Sequence, residues 1–471
     1  MDTLTEVRHR RDVGLPPWRW FDRKVRGHMQ ATAELPRTRL QEQDSIIALD
    51  RQMVRPAIRR RVIYVHVPFC KRICTFCAFF RRSSASADLQ AYTQALLTQI
   101  RRSAATTWAQ NGPPFSAVYF GGGTPTSLDA GQLAGLVNAI YDRFPLSGDC
   151  EFTVECRFDG IDEAYLSSLF DAGVNRLSFG VQSFDTGVRQ AVGRIADRDR
   201  VLDTLALAER VGFKRISTDL IYNLPGQSHA SWAQDIRLLL TTPATAASIY
   251  ALIPMRGSAL VKQINAGRVD PLGDIAHEYD LFMTAYNTLV RRPGWRRLSF
   301  HHFGDYRQES NTYNRVRAGG VDTLGLGCGA GGQIENLAYM NPMSVPHYIE
   351  AQARGQHGNI TVYEEPSPTV RLREAYRLIE SDGISRGRLL ELLPGIEPIV
   401  ESLMGAGLIV EDAGILTPTR EGCFWGYNLA AILTEAIADT LARQSDYIPD
   451  PKPSDPIHQA GVHTCSSSSI A

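Results

Sequence analysis

Three cysteines, Cys70, Cys74 and Cys77, stand within eight residues in the stretch YVHVPFCKRICTFCAFF. Thiols at this density in a chain with few other cysteines read as metal ligands. A tetrahedral zinc site is closed by four ligands, usually as two pairs, and no second Cys-x2-Cys lies anywhere in the chain. A disulfide-exchange Cys-x2-Cys has no need of a third thiol just ahead of it. Three thiolates from one short loop suit three irons of a [4Fe-4S] cluster, whereas four cysteines would close all four irons. The fourth iron is then open to a ligand such as a bidentate amino-carboxylate, as catalytic metal sites keep a position for substrate. A zinc or structural site completed by a remote ligand is the alternative. Phe69, Phe76, Phe79 and Phe80 are placed to exclude water from such a centre, and burial tunes its potential.

Other groups with chemical potential fall at the ends of predicted strands. GGGTPT, Gly121 to Thr126, follows an apolar strand, and consecutive glycines let a ligand approach the backbone closely. The stretch is neither GxGxxG nor a Walker loop, and a tight turn is the plain alternative. Glu155 in TVECR, Gln182 in FGVQSFD, Arg194 in VGRIADR and Asp219 in STDLIYNLPGQ are polar residues in or just after otherwise apolar strands. Burying them is costly without partners, and taken singly each is equally explained by a solvent-facing position. GLGCGAGG supplies a second place of close backbone approach, with glycines at 325, 327, 329, 331 and 332. His301, His302, Tyr306 and Tyr313 precede it; a paired histidine is more often structural than metal-binding. Arg256, Arg307 and Arg315 have the geometry to grip carboxylates, or are solvated.

The elements that position these residues follow from periodicity. RRVIYVHVP is β-branched and ends at Pro68, a strand entering a loop. With AVYFGGGT, DCEFTVECR, NRLSFGVQSF, RISTDLIY and AASIYALIP it makes six strands between 61 and 254, alternating with helical segments. In the first helix Leu89, Tyr92, Leu96 and Ile100 share a face; Gly173 stops the third, and Ser228 caps another. This alternation predicts βαβ units and a parallel sheet, two strands short of a closed eight-stranded barrel. The cysteine loop, GGGTPT and LPGQ all fall at strand C-terminal ends, where parallel barrels hold their chemistry. Fifty Lys+Arg against fifty Asp+Glu leave no global field directed at nucleic acid. The N-terminus is polar and Arg-rich, unlike a secretory signal, and no apolar run is long enough for a membrane span. Eight cysteines in 471 residues are too scattered for a disulfide framework. A cytoplasmic location is expected, with Cys150, Cys156, Cys328 and Cys423 as small buried residues and Cys465 in the tail.

Cys-x3-Cys-x2-Cys is the signature of the radical S-adenosylmethionine (SAM) enzymes, and the chain resembles that superfamily. YxHxPFCxxxCxFCxF, GGGTP, FGVQSF and LPGQ resemble the oxygen-independent coproporphyrinogen oxidase-like (HemN-like) family. The GAGG turn, the YMN text after it and LTPTREGCFWGYN look most like that family's anaerobic haem-degrading methyltransferases, the anaerobilin synthase type. The resemblance covers about residues 60 to 440 and implies an α/β fold: a partial (β/α)6 radical SAM barrel with a C-terminal helical, winged-helix-like domain. It implies a [4Fe-4S] cluster on Cys70, Cys74 and Cys77, with Tyr64 and His66 among the catalytic residues. Gly121, Gly122, Gly123 and Thr124 are expected at SAM's amino group. Glu155, Gln182, Arg194 and Asp219 are expected to hold the first SAM through ribose hydroxyls and an Arg–carboxylate pair. Gly327, Gly329 and Ala330, expected beside GGGTP, would help bind a second SAM.

The implied reaction is two-SAM methyl transfer. A 5′-deoxyadenosyl radical from the first SAM takes hydrogen from the methyl of the second, and the resulting methylene radical adds to an sp2 carbon. In the haem-degrading group that carbon is a haem meso position, and ring opening with iron release follows. The implied partners are haem or another conjugated or aromatic acceptor, and a reductant such as flavodoxin or ferredoxin. CAFFRR departs from the more usual CGFYQN, and HHFGDYR departs from the group's segment, both near where substrate is expected. The alternatives are a methylase or cyclopropane-forming enzyme of natural-product biosynthesis, a coproporphyrinogen III dehydrogenase and a haem chaperone. The expected divisions are an N-terminal extension at 1–58, the barrel at 59–260 and a barrel extension with second-SAM and substrate segments at 261–365. A helical lid at 366–440, too acidic for a DNA-reading helix, and a disordered tail at 441–471 complete them.

Overall fold

The computed structural model describes residues 4–77 and 79–444, apart from the side chain of Ala318. From residue 445 on, the tail, Cys465 included, lies outside the described residues. The six expected strands are all present: β1 (Arg61–Val67), β2 (Phe115–Gly122), β3 (Leu146–Cys156), β4 (Arg176–Gln182), β5 (Ile216–Tyr222) and β6 (Ala246–Ala251). They lie side by side in that order, all parallel. Two further strands flank them. β7 (His302–Asp305) runs antiparallel to β6, and β8 (Asp322–Leu326) runs parallel to β1. Short antiparallel strands, including Thr38–Arg39 from the N-terminal arm, extend the sheet to thirteen.

Alternation along the strands sorts their side chains by face. Ile63, Val65, Val67, Val118, Phe120, Val154, Leu177, Phe179 and Leu220 are buried in the main apolar core. Helices α1 (Leu89–Ala104), α2 (Ala130–Tyr141), α3 (Glu163–Asp171), α4 (Arg198–Val211) and α5 (His229–Thr241) cover that face. Each such side chain contributes about 1.5–3 kcal/mol by leaving water. The helix ends obey local rules: the Asp88 carboxylate accepts from Ala91 N at 2.8 Å, and Ser228 forms a capping box with Ser231. Gly173 ends α3 at φ +101°, open to glycine. The opposite face carries Tyr64, His66, Tyr119, Glu155, Ser178, Asp219 and Ser248, so the barrel interior is polar.

Helix α6 (Ile275–Leu289) packs on α5. The segment from β7 to α7 (Thr312–Ala318) closes the end of the barrel away from the cysteines. β7 descends antiparallel to β6, which carries Tyr306 and Arg307 to the N-terminal ends of the barrel strands. There Asp305 grips Arg307 at 2.9 and 3.0 Å. The Glu151 carboxylate accepts from Ser310 Oγ and from the N–H groups of Thr312 and Tyr313, fixing the start of α7. Buried Arg176 holds Glu309 at 3.0 Å. Tyr313 then stacks on Tyr119 at 4.7 Å and Tyr64 at 6.2 Å inside the barrel. The expectation that this segment lies at substrate is corrected for Tyr306 and Arg307, which sit at the far end, and Arg256 is exposed on the turn after β6.

The N-terminal arm is packed. Trp20, Phe21 and Val25 are buried. Asn428 accepts from Val25 N and donates to Arg23 O, each at 2.9 Å. Lys24 lies 3.5 Å from the Phe424 ring centre and pairs with buried Glu278, which Arg26 also reaches at 2.7 Å. Glu278 in turn accepts from Asn223 Nδ2 at 3.1 Å, in the turn after β5. Toward the C-terminus, helices Arg386–Leu392 and Glu397–Gly405 pack with a three-stranded antiparallel sheet, a winged-helix-like module. Among the described residues no helix is long and apolar enough to cross a membrane.

Candidate active site

The cysteine loop leaves β1 at Pro68 and is tied down at three points: Arg82 N to Pro68 O at 2.6 Å, Thr75 N to Val192 O at 3.2 Å, and Leu260 N to Thr75 O at 2.9 Å. It folds against GGGTPT. Gly123 N donates to Val67 O, and a Cβ at Gly123 would meet the Pro68–Phe69 backbone at 2.8 Å. Cys70 Sγ lies 3.4 Å from Thr124 Oγ1. A single cleft is lined by Cys70, Cys74, Cys77, Gly122, Gly123 and Thr124. Glu155 on β3, Gln182 on β4, Asp219 on β5 and Arg194, just past the short helix Thr186–Ala191, line the same cleft. Among the described residues no three His, Cys, Asp or Glu are gathered as for a single bound ion; the thiols share the cleft without closing on one point. Phe69 is buried and Phe76 half-buried beside them, and Phe79, though 73% exposed, lines the cleft together with the thiols.

The polar side chains of the cleft are short of partners. Gln182 Oε1 and the Nε atoms of Arg194 and Arg157 are buried without a hydrogen-bond partner among the described residues. Gln182 itself adopts φ +68° at a register shift between β4 and β5, a strained conformation for a residue with a side chain. Gly180 makes room for it: a Cβ there would meet Gln182 Nε2 at 2.9 Å and Arg194 Nη2 at 3.0 Å. Orphaned amide and guanidinium groups around a cleft with three thiols fit a ligand carrying hydroxyls and a carboxylate. The donor set therefore fits an iron–sulfur cluster with SAM on its open iron.

Electrostatics divides the cleft in two. On the thiol side Arg157 donates to Arg72 O at 2.6 Å and comes within 3.8 Å of Cys74 Sγ. Sequence reasoning passes over Arg157 because it lies just past the end of β3, where no periodicity marks it. On the other side Tyr119 Oη donates to Glu155 Oε1 at 2.8 Å. Burial, then the charge of Asp219, pushes the Glu155 carboxyl up to about 7. Burial pushes Asp219 up to about 6, against Arg176 and hydrogen bonds from Ser248 and Ser178.

Tyr64 and His66 stand at the end of β1 but do not line the cleft. His66 Nε2 donates to Phe80 O at 3.2 Å, so its Nδ1 accepts from Tyr64 Oη at 3.0 Å. Burial holds the imidazole neutral, down to about 4. The pair thus fastens the back of the cysteine loop. A Cβ at Gly122, φ +111°, would fall 2.6 Å from the His66 ring.

The second glycine turn lies elsewhere than expected. β8 joins β1 on the side away from β2, so Gly327 to Ala330 adjoin the cysteine-loop strand and not GGGTP. Its amides already have protein acceptors: Gly327 N bonds Gln99 Oε1 at 2.7 Å, Cys328 N bonds Tyr92 Oη at 3.2 Å, Gly329 N bonds Pro342 O at 2.9 Å, and Ala330 N bonds Gly327 O at 3.1 Å. The glycines serve close packing. At φ +97°, a Cβ on Gly327 would collide with His66 O and lie 2.8 Å from Tyr92 Oη. Gly327→Ala is expected to cost about 1–3 kcal/mol from backbone strain, read as a lower thermal midpoint; an unchanged midpoint would show that the turn relaxes freely.

Known proteins share this arrangement. Residues 64–239 match the radical SAM superfamily. Over 384 residues the chain is 31% identical to an anaerobilin synthase of Escherichia coli O157:H7, covering 80% of this chain and 85% of that protein. It is 30% identical over 377 residues to the haem chaperone HemW of Bacillus subtilis (strain 168), covering 77% of this chain and 96% of that one. The structure of coproporphyrinogen III oxidase (HemN) from Escherichia coli matches with a TM-score of 0.70 at 21% identity, over 88% of this chain and 96% of that chain, a likeness of fold. Identity of 31% over 384 residues exceeds what a shared barrel alone accounts for, and the chain belongs to the radical SAM superfamily, in its HemN-like family.

Proposed function

We propose that this protein is a radical SAM C-methyltransferase that uses two SAM molecules and adds a SAM-derived carbon to an sp2 carbon, with haem as acceptor and ring opening with iron release as outcome. The observation that carries this reading is the reach of the likeness to anaerobilin synthase: 384 aligned residues extend well beyond the six barrel strands. When bound, the cluster and SAM supply the one-electron and radical chemistry. The chain supplies the rest. Cys70, Cys74 and Cys77 hold the metal, while Arg157 and Arg194 offset the negative charge gathered there. Gln182 and Arg194 orient the first SAM with the carboxylates of Glu155 and Asp219, and Phe69 and Phe76 exclude water. A low-potential donor of the flavodoxin or ferredoxin type in the cytoplasm supplies the electron. The divisions at 59, 261 and 366 belong to this proposal, with 366–440 as a lid; the expected tail boundary at 441 is corrected, since helix Gly426–Gln444 runs past it with Leu441 buried.

A haem chaperone is the second reading, favoured by the alignment that spans 96% of HemW. The test is anaerobic. Protein reconstituted with iron and sulfide receives dithionite, haem and SAM deuterated at its methyl. Deuterated 5′-deoxyadenosine, S-adenosylhomocysteine and an opened, methylated tetrapyrrole are expected by mass spectrometry. Intact haem retained by the protein would replace the proposal with the chaperone reading. Oxidation of added coproporphyrinogen III, with haem untouched, would replace it with the oxidase.

A further inference from the structure

Asp219, Ser248 and His302 stand abreast on three adjacent strands. The register sets Asp219 opposite Ser248 on β6, and Ser248 opposite His302 on β7. Side chains paired in this register share a face, so Ser248 stands beside the Asp219 carboxylate, and its Oγ lies 2.9 Å from His302 Nδ1. The hydroxyl has one proton to donate and an ionised carboxylate can only accept. With Ser248 turned to Asp219 its proton goes to the carboxylate, and His302 then donates its Nδ1–H to Ser248. That fixes the tautomer with Nε2 bare, and Nε2 is buried without a partner among the described residues, on a side chain 2% exposed. Burial, then the charge of Arg176, keeps this imidazole neutral, so it serves as a fixed dipole and not as a cation.

We propose that His302 is a positioning residue for SAM: through Ser248 it holds the Asp219 carboxylate in place and in its ionised form at the cleft. This rests on the reading above that Asp219 binds SAM. Asp219 needs the support, because burial and the nearby Glu155 carboxyl oppose its charge, while Arg176 and Arg194 favour it. The hydroxyl of Ser178 donates to it at a long 3.5 Å. The chain of bonds begins on the antiparallel strand that also closes the barrel end, so closure of the barrel and grip on SAM are joined in one row.

Equilibrium dialysis of SAM against cluster-loaded protein, repeated across pH, tests the proposal. Ionised Asp219 accepts from SAM, so affinity falls as pH drops through its folded pKa. His302→Phe is expected to weaken SAM about tenfold, the scale of a hydrogen bond to a charged group, and to move that fall to higher pH. His302→Asn, whose amide N–H stands in for Nδ1–H, is expected to restore both affinity and midpoint. Ser248→Ala should behave as His302→Phe and decides the matter if the phenylalanine variant does not fold. Equal loss in the Phe and Asn variants, or an unmoved pH midpoint in His302→Phe and Ser248→Ala, would overturn the proposal while Asp219→Ala still loses SAM. Native SAM affinity in Asp219→Ala would instead overturn the placement of SAM, and this inference with it.

Discussion

Cys70→Ala, Cys74→Ala and Cys77→Ala should each yield a folded chain with little bound iron and no 5′-deoxyadenosine above background. Two thiolates do not retain three irons of a cluster, and nothing else in the cleft is placed to substitute. Cys156 also lines it, yet burial and the neighbouring charge of Glu155 push that thiol far up, out of the range of a thiolate. The fold should survive, because the loop is held by backbone bonds at Pro68, Thr75 and Val192 and not by the thiols. Removing one sulfur from a packed site costs about 1 kcal/mol, a small part of the stability of a chain this large. Iron per chain, the visible absorbance of the cluster and 5′-deoxyadenosine release read the three variants independently. Parental SAM cleavage in any one of them would remove that cysteine from the cluster and with it the three-thiol reading.

What the sequence disclosed was local. Short apolar runs between helical segments marked all six barrel strands, and Gly173 and Ser228 marked two helix ends, because those signals depend on neighbours a few residues away. The cleft residues Glu155, Gln182 and Asp219 were legible for the same reason, as polar residues in otherwise apolar strands. What stayed hidden depends on distant partners. The start of α7 is capped by Glu151, some 160 residues earlier, so no local signal announces it. The 327–330 turn was expected beside GGGTP, but which edge a strand joins is decided by topology and not by its own pattern. Around residues 17–25 the N-terminal arm lacks periodicity because Trp20, Phe21 and Val25 insert singly, with Phe21 against Trp425 and Val25 against Asn428.

Glu155→Gln should make the protein more stable in neutral and alkaline solution and poorer at holding SAM. Glu155 sits buried with Asp219 facing it, and its carboxyl is pushed up to about 7, against an ordinary value of about 4.3. Between those values the folded chain keeps a proton that the unfolded chain releases, so stability falls as pH rises through the window. Glutamine occupies the same volume, keeps an acceptor oxygen for Tyr119 Oη and Gly122 N, and does not titrate. The gain should therefore be absent below about pH 4 and grow to the order of 2 kcal/mol above about pH 7. Thermal midpoints of parent and variant at acidic and alkaline pH, equally loaded with cluster and free of SAM, measure it. The same substitution removes an ionised acceptor, and hydrogen bonds to charged groups of this kind are worth about tenfold or more in affinity. Stability gained and SAM lost in one variant would identify Glu155 as a residue retained for binding against the interest of the fold. A gain with SAM affinity intact would leave it outside the SAM contact, and a midpoint difference that ignores pH would mean that the carboxyl is already ionised and paired in the free protein.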